Sequence, residues 1–327
     1  MKAENKFLIF DHPVAWNWRT PIQDMKNVAR RMRYQMLTKK HKPVVNGERK
    51  YNVSVLAIFK NEARYFPEWI EFHKIVGVDH FYLYNNNSDD NYEEMLKPYI
   101  EEGTVTLVQW PKNQEQMECY QDGIARFREE TKWMAIIDLD EFIVPNETDT
   151  IYDFLQKFED KPAVLGYWKF FGASGLMERP DDGLVVEDFV VGWRKYSSIG
   201  KCFYNTRFDF DGTDPKNTGL HHFMWAGPKG CALPPVNVFG KICLPGVHPI
   251  PRNADAEHFP LQINHYFTKS CQEYIDKKSK GDVYFKENPH TFDYFHEHDM
   301  PCQKADYHAY KYLIKLKLAM NGIAGWR

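Results

Sequence analysis

An apolar segment that ends in three carboxylates most constrains the fold of this chain. Residues 133–137 carry no charge and are typical of a strand that is buried on both faces of a sheet. Asp138, Asp140 and Glu141 follow within four residues, before apolar residues return. Open α/β sheets bind their ligands at the carboxyl ends of the strands. The segment therefore predicts a central strand whose acidic end lies at a binding site.

Two of these carboxylates predict a cation site. If the strand continues through them, Asp138 and Asp140 point to the same side, because strand side chains repeat every two residues. Two like charges held close together repel, and a divalent cation with oxygen ligands relieves that repulsion. By the same argument, Glu141 faces away from the two aspartates. The alternative for an isolated Asp-x-Asp is a solvated acidic turn.

Strands and helices alternate in front of this segment. The first strand is predicted at Tyr51–Phe59, which is β-branched and aromatic, and Tyr65–Val76 has apolar residues at helical spacing. The same criteria predict strands at 80–84, 105–110 and 133–137 and helices at 92–101 and 116–130. This alternation favours a parallel, doubly wound sheet.

Polar residues follow the first two strands as well as the strand at 133–137. Asn61 and Glu62 follow the first strand, and Asn85 and Asp89 follow the second. Because the carboxyl ends of parallel strands meet at one edge, we expect these side chains near Asp138. Each alone is more often a helix cap or turn residue. The chain lacks the glycine patterns of the dinucleotide and P-loop phosphate sites.

The pattern is less regular beyond residue 145. Further elements are predicted at 151–158 (helix), 163–171 and 261–264 (strands), 271–280 and 302–320 (helices), with an irregular segment over 190–260. In that segment, Lys201 either contacts a phosphate or is solvated. His221 and His222 are adjacent, so in a strand they point to opposite faces and cannot easily bind one ion together.

Composition excludes some function classes. The formal net charge of −3 leaves no basic footprint for duplex nucleic acid. The six cysteines show no C-x-x-C spacing and only Cys231 and Cys243 are close in sequence, which favours free thiols in a reducing compartment. No apolar run of membrane-spanning length and no signal peptide are present, which predicts a cytoplasmic protein.

The segment 26–42 is rich in lysine and arginine. Such a segment contacts anionic lipid headgroups at the inner face of a membrane or a polyanionic substrate, or it forms one solvated face of a helix. It belongs to a predicted N-terminal extension, residues 1–50.

Several motifs, in this order, resemble glycosyltransferase family 92. They are Lys60-Asn-Glu, Pro67–His73, Gly77–Asn86, Gln116 with Tyr120 and Asp122, Asp138–Phe142, Trp168–Gly175 and His265–Ser270. The resemblance covers residues 51–285 and implies a single GT-A catalytic domain, with a mixed sheet flanked by helices. Residues 286–327 then form a C-terminal helical extension.

The resemblance implies an inverting transferase that uses a UDP-sugar donor and a divalent ion, commonly Mn²⁺ and otherwise Mg²⁺. Known members are galactosyltransferases, so UDP-galactose is the expected donor and a saccharide the expected acceptor. Animal members carry a membrane anchor and stem that this sequence lacks, which favours a bacterial-type cytoplasmic enzyme of surface polysaccharide synthesis.

The resemblance also assigns roles to residues. Asp140 is the main metal ligand, Asp138 serves the ribose and the metal shell, and His265 is a third metal ligand, since imidazole suits Mn²⁺. The predicted nucleotide contacts are Asn61, Glu62, Asn85, Asp89, Gln116, Asp138 and, on the diphosphate, Lys269. Lys277, Lys278 and Lys280 close over the nucleotide, with Lys280 where the family usually has arginine.

Inversion by single displacement needs a carboxylate base for the acceptor hydroxyl. The candidates are Glu178, Asp181, Asp182, Glu187 and Glu141, and the sequence does not choose among them. Two other functions compete with transfer. One is a nucleotide-sugar or carbohydrate-binding protein without turnover, and the other is a metal-dependent phosphodiesterase or nucleotidyltransferase.

Overall fold

The computed structural model describes residues 18–44, 47–113, 115–211, 226–244, 250–251, 253–279 and 291–322. The helices in these residues are α1 (Thr20–Lys40), α2 (Phe66–Ile75), α3 (Tyr92–Glu101), α4 (Gln116–Phe127), α5 (Ile151–Leu155), α6 (Val185–Asp188), α7 (Cys271–Ser279), α8 (Phe292–Asp299) and α9 (Leu313–Met320). The strands are β1 (Tyr51–Phe59), β2 (His80–Asn85), β3 (Val105–Gln109), β4 (Thr131–Ile136), β5 (Glu141–Pro145), β6 (Ala163–Phe170), β7 (Val191–Trp193), β8 (Gly200–Asn205), β9 (Val236–Asn237), β10 (Leu261–His265) and β11 (Cys302–Ala305).

The first half of the main sheet is parallel, as predicted. Its order is β3-β2-β1-β4, and α2, α3 and α4 connect successive strands. Phe59 at the end of β1 pairs with Asn85 at the end of β2, and Leu56 pairs with Ile136 at the end of β4. The carboxyl ends of these strands therefore share one edge, where the predicted polar residues meet.

The second half makes the sheet mixed. The order continues β4-β8-β6-β10-β5; β8 is antiparallel to both β4 and β6, while β6 and β10 are parallel. This mixed sheet flanked by helices is the architecture expected of a GT-A fold. The prediction that 190–260 is irregular was wrong for β8, a buried strand at the centre of the sheet. Glycine and proline around this short apolar run concealed the strand.

The central acidic segment is a turn. β4 ends at Ile136, and β5 begins at Glu141 and pairs antiparallel with β10. The prediction that Asp138 and Asp140 continue one strand was therefore wrong, and with it the conclusion that Glu141 faces away from them. The backbone N–H of Glu141 donates to the carbonyl of Asp138 at 3.1 Å, which closes the turn.

The C-terminal segment is not the single helix predicted for 302–320. β11 pairs antiparallel with β7, a 3₁₀ turn spans His308–Tyr312, and only α9 is helical beyond it. Tyr312 packs edge-on against Phe72 of α2, and its hydroxyl donates to the carbonyl of Pro145. The tail is thus attached to the core beside β5. The division into 1–50, 51–285 and 286–327 stays a prediction.

None of the six cysteines, all of which lie in the described residues, forms a disulfide. Among the described residues, no helix combines the length and the apolar character needed to cross a membrane.

Candidate active site

Three possible metal ligands meet where the acidic turn approaches the end of β10. One ligand atom each from Asp140, Glu141 and His265 can be chosen so that all lie within 4.8 Å of one another. Glu141 is brought there because β5 pairs with β10, in a register that places it opposite His265. Two carboxylates and an imidazole form a donor set that suits a divalent ion such as Mn²⁺.

Asp140 is buried and held by cations. Its Oδ2 accepts a hydrogen bond from Lys277 Nζ of α7 at 2.6 Å, and its Oδ1 lies 3.5 Å from His265 Nε2. Burial alone would raise the pKa of Asp140, but Lys277, His265 and Lys269 outweigh it and hold the pKa well below its usual range. The lowered pKa favours the carboxylate form, which can bind a metal, although Lys277 is bonded to its Oδ2 in this structure.

Burial favours the neutral form of the His265 imidazole. Burial lowers its pKa, although Asp140 opposes the shift. The ring lies 4.6 Å from that of Trp168 and 5.0 Å from that of Phe170, both on the neighbouring strand β6. Its Nδ1 is buried without a hydrogen-bond partner among the described residues. A neutral ring in a rigid aromatic wall suits a metal ligand.

Glu141 is fully buried. Its Oε2 accepts from the backbone N–H of Asp138 at 3.1 Å, whereas Oε1 has no hydrogen-bond partner among the described residues and lies 3.7 Å from Lys201 Nζ. Burial raises its pKa well above the usual range; Lys201 opposes this rise, and Asp138 and Asp140 add to it. A second cation near Oε1 would keep this carboxyl ionised.

Asp138 belongs to a different set of contacts. Its Oδ2 accepts from Lys201 Nζ at 2.8 Å and its Oδ1 from the hydroxyl of Tyr120 at 3.2 Å. Gln116 Nε2 donates in turn to that hydroxyl at 2.7 Å. Lys201 is only 3% exposed, so the expectation that it is solvated was wrong. The structure thus joins Gln116 and Asp138, two predicted nucleotide contacts, through Tyr120.

The loops after β1 and β2 interlock. Asn61 has a positive φ of 54°, its backbone N–H donates to Ser88 Oγ, and its Oδ1 accepts from the backbone N–H of Asp89 at 2.8 Å. Asn85 Oδ1 accepts from the backbone of Ser88 and its Nδ2 donates to Gln109. The negative charge of Glu62, beside Asn61, favours the protonated forms of Lys269 and Lys277 by raising their pKa values. These predicted nucleoside contacts therefore form one edge with the acidic turn.

Lys269 is held beneath this edge. Its φ is 51°, its side chain is buried, and Nζ lies 4.1 Å from the ring centroid of Tyr65. Burial lowers its pKa, although the charges of Glu62 and Asp140 oppose the shift. An anion that reached Nζ would relieve this unfavourable burial.

Sequence comparison assigns this site to a family. Residues 49–207 match the sequence profile of glycosyltransferase family 92. This match contains the loops after β1 and β2, the acidic turn and Lys201. Residues 49–207 belong to glycosyltransferase family 92. His265 and Lys277, which contact the acidic turn, lie outside the matched residues.

Curated relatives carry the same family name. A family 92 protein of Oryza sativa subsp. japonica is 32% identical over 138 residues, which are 41% of this chain and 24% of that protein. Galactan beta-1,4-galactosyltransferase GALS3 of Arabidopsis thaliana is 34% identical over 104 residues, 28% of this chain and 20% of that protein. Beta-1,4-galactosyltransferase galt-1 of Caenorhabditis elegans is 26% identical over 142 residues, 41% of this chain and 30% of that protein. The aligned segments thus span about a quarter of their lengths.

Solved structures overlap this chain only in part. The Staphylococcus aureus TarS fragment 1–349 has a TM-score of 0.33 and 15% identity, with 47% of each chain covered. The same fragment in complex with UDP has a TM-score of 0.31 and 13% identity, again with 47% of each chain covered. At TM-scores this low, the overlap indicates no shared function.

Except for Glu141, the predicted bases lie outside the cluster of Asp140, Glu141 and His265. Glu178, Asp181 and Asp182 are exposed in the segment between β6 and α6. Glu187 is half-buried on α6 and paired with Lys317 Nζ of α9 at 2.5 Å. His221, His222 and Lys280 lie outside the described residues.

The loop that carries Glu178 is fixed to α7. Two backbone hydrogen bonds, from Cys271 to Leu176 and from Gln272 to Met177, join the start of α7 to the loop. Arg179, the residue after Glu178, has a buried side chain that lies 3.2 Å from Glu273 of α7 and 3.7 Å from Glu68 of α2. The loop is therefore attached to the helix that supplies Lys277.

Sequence reasoning missed two pairings, those of Lys201 with Asp138 and of Lys277 with Asp140. A lysine inside the apolar run of β8 is a signal for the first, because a buried ammonium needs a carboxylate partner. No local signal indicates the second, since 137 residues separate its partners.

Proposed function

We propose that this chain transfers galactose from UDP-galactose to a saccharide acceptor, with inversion at the anomeric carbon and with a divalent cation, Mn²⁺ or Mg²⁺. The observation that carries the proposal is the cluster of Asp140, Glu141 and His265 inside a family 92 fold. Two relatives named as galactosyltransferases support galactose as the sugar. Synthesis of a bacterial surface polysaccharide stays a prediction.

The donor set fits a cation. Glu141 Oε1 is a buried acceptor without a hydrogen bond among the described residues, and the pKa of Asp140 is held well below its usual range. Asp140, Glu141 and His265 would hold the ion, and Asp138 would serve the ribose through the oxygens that now contact Lys201 and Tyr120. A cation bound there acts as a Lewis acid on the diphosphate leaving group.

Two lysines, Lys269, which is buried, and Lys277, which is partly exposed, prepare the site for negative charge. The ammonium of Lys277 is bonded to Asp140 in this structure, and we propose that it moves to the diphosphate when donor and cation bind. Lys269, whose pKa is lowered by burial, gains an anionic partner in the same step. Asn61, Glu62, Asn85 and Asp89 lie along the edge that leads from this position to the nucleoside.

Among the predicted bases, we propose Glu178 as the group that takes the proton of the acceptor hydroxyl. It follows directly on the backbone segment that is bonded to α7, the helix of Lys277. Its exposure allows contact with an acceptor from solvent, whereas Glu141 is fully buried in the metal cluster.

The test is release of UDP from a panel of UDP-sugars by the purified protein with Mn²⁺, beside Asp140→Ala. Many transferases hydrolyse their donor slowly in water, so an acceptor is not needed. We expect release from UDP-galactose above the other sugars, and a loss of roughly a thousandfold in Asp140→Ala. Asp160→Ala, at an exposed aspartate in the turn that precedes β6, is the matched control and is expected to keep wild-type activity.

The alternatives give different products. A nucleotide-sugar-binding protein would bind UDP without releasing it from any donor, even with varied acceptors. A phosphodiesterase or nucleotidyltransferase would release UMP rather than UDP. Absence of UDP binding in the presence of Mn²⁺ would overturn the proposal.

A further inference from the structure

Helix α1 presents its apolar residues to solvent. Six large apolar side chains, spaced by three or four residues, form one stripe that we call the outer stripe: Trp18 (70% exposed), Ile22 (42%), Met25 (66%), Val28 (54%), Met32 (60%) and Met36 (64%). At about 1.5 Å per residue, the stripe is roughly 27 Å long. A surface helix normally turns such a stripe toward the core.

The opposite side of α1 attaches the helix to the domain. Asn27 is 6% exposed, and Leu37 packs against the hydrophobic core. Beyond the helix, the backbone N–H of Val44 donates to the carbonyl of Arg207 at 2.7 Å. The orientation of the helix therefore follows from its own contacts, and the outer stripe is the side that remains for a partner.

The charges on and around α1 identify the partner. Residues 18–44 contain eight lysines and arginines and one carboxylate, Asp24. The basic side chains that flank the outer stripe are exposed: Arg19, Lys26, Arg30, Arg33, Lys39 and Lys40. Trp18 stands at one end with the guanidinium of Arg19 4.9 Å from its ring centroid, a pair suited to the boundary between lipid and water.

We propose that α1 lies along an anionic membrane surface, with the outer stripe in the headgroup boundary and the basic side chains on the lipid phosphates. Apolar residues on one side and Lys and Arg beside them are the features of a helix that lies in the plane of a membrane. A second copy of the chain is the other possible occupant. It would bring two strongly basic helices together with one carboxylate each, and their like charges repel.

Vesicle co-sedimentation of the full chain tests the proposal. We expect binding to vesicles of phosphatidylcholine with about one third phosphatidylserine and little binding to pure phosphatidylcholine, with a decline as salt is raised. The double variant Met25→Gln/Met32→Gln should bind roughly tenfold more weakly, because it removes apolar contact and keeps the charge. The double variant Arg30→Gln/Arg33→Gln should lose roughly thirtyfold.

The controls separate binding from folding and from catalysis. Met300→Gln changes an equally exposed methionine elsewhere and should bind like wild type. Glutamine is a good helix former, so thermal unfolding of the variants should match wild type. The proposal is independent of transferase activity, and donor hydrolysis should be unchanged in every variant.

Two results would overturn it. One is a failure of the vesicle assay: either the wild-type protein stays in the supernatant with anionic vesicles, or the Met25→Gln/Met32→Gln variant sediments as well as the wild type. The other is a dimer in sedimentation equilibrium that the same double variant dissociates, which would make the outer stripe an interface between copies.

Discussion

Two lysines on neighbouring strands of the sheet are equally buried and have opposite surroundings. Lys201 of β8 is 3% exposed and Lys169 of β6 is 2% exposed. Burial alone would lower the pKa of both, but Asp138 and Glu141 raise that of Lys201. The pKa of Lys169 is lowered by burial, although Asp306 opposes the shift.

The contacts explain the difference. Lys201 Nζ lies 2.8 Å from Asp138 on the face of the sheet that carries His265. Lys169 pairs in register with Asn264, so it lies on the opposite face; in the described residues it makes one long hydrogen bond, 3.4 Å, to the carbonyl of Arg194. It lines a cavity of about 250 Å³. A carboxylate in contact offsets part of the desolvation cost of a buried lysine, and removing one member of such a pair leaves the other charge uncompensated.

The first test removes the charge of Lys201. In Lys201→Met, Asp138 loses its ion pair and Glu141 its nearest cation, so the free energy of unfolding should fall by about 3 kcal/mol. Urea unfolding without metal measures this, with Lys169→Met as the matched control on the other face. An equal loss of unfolding free energy in Lys201→Met and Lys169→Met would show that the two lysines do not differ in their partners.

The second test compares a buried carboxylate with an exposed one. Asp140 of the acidic turn is buried and paired with Lys277, whereas Glu178 is exposed. Glu178→Gln should slow sugar transfer about a hundredfold, since a proposed base loses its proton acceptor, with slow donor hydrolysis nearly unchanged. Rates with a saccharide acceptor measure this. Asp181→Asn and Asp182→Asn are the controls, and an equal loss in either would move the base to that residue.

A third test opens the pair of Lys277 and Asp140. In Lys277→Met the ammonium no longer competes for Asp140, so Mn²⁺ should bind about tenfold more tightly, or roughly 1.4 kcal/mol. UDP release should fall in the same variant, because the diphosphate loses a charge partner. Calorimetric titration with Mn²⁺ checks the first effect, and Lys278→Met, at an exposed position, is the control. If Lys277→Met binds Mn²⁺ with wild-type affinity, Lys277 does not compete with the ion for Asp140.

The smallest effect is expected at Lys169. Methionine fills a similar volume without a buried charge, so Lys169→Met should raise the free energy of unfolding by about 1 kcal/mol. The midpoint of urea unfolding measures it. If Lys169→Met instead lowers the free energy of unfolding as much as is expected for Lys201→Met, Lys169 has a strongly stabilising partner.

The parallel half of the fold could be predicted from the sequence. β1 and α3 have the predicted bounds, and β2, β3, β4, α2 and α4 differ by a few residues at their ends. These elements carry apolar residues at regular spacing, and that spacing is a local property. The edge that joins Asn61, Asn85 and Asp138 follows from parallel order alone.

The geometry of the acidic segment could not be predicted. Apolar residues on both sides of Asp138 and Asp140 favoured one continuous strand, but β5 pairs with β10, more than a hundred residues later. This pairing turns Glu141 toward His265. The same limit applies to α1, whose basic residues were visible in the sequence, whereas the exposure of its apolar stripe depends on which side contacts the domain.

The family resemblance, the alternating elements and the residue types of the acidic turn could be recognised in the sequence, because these depend on residues close together along the chain. The fold was needed to show which cation each buried carboxylate meets, that Glu141 lies beside Asp140 and His265, and that Lys169 lies on the opposite face from Lys201. Those outcomes depend on strand pairings and helix contacts between distant segments, and the free energy of a buried charge is determined by the groups that surround it.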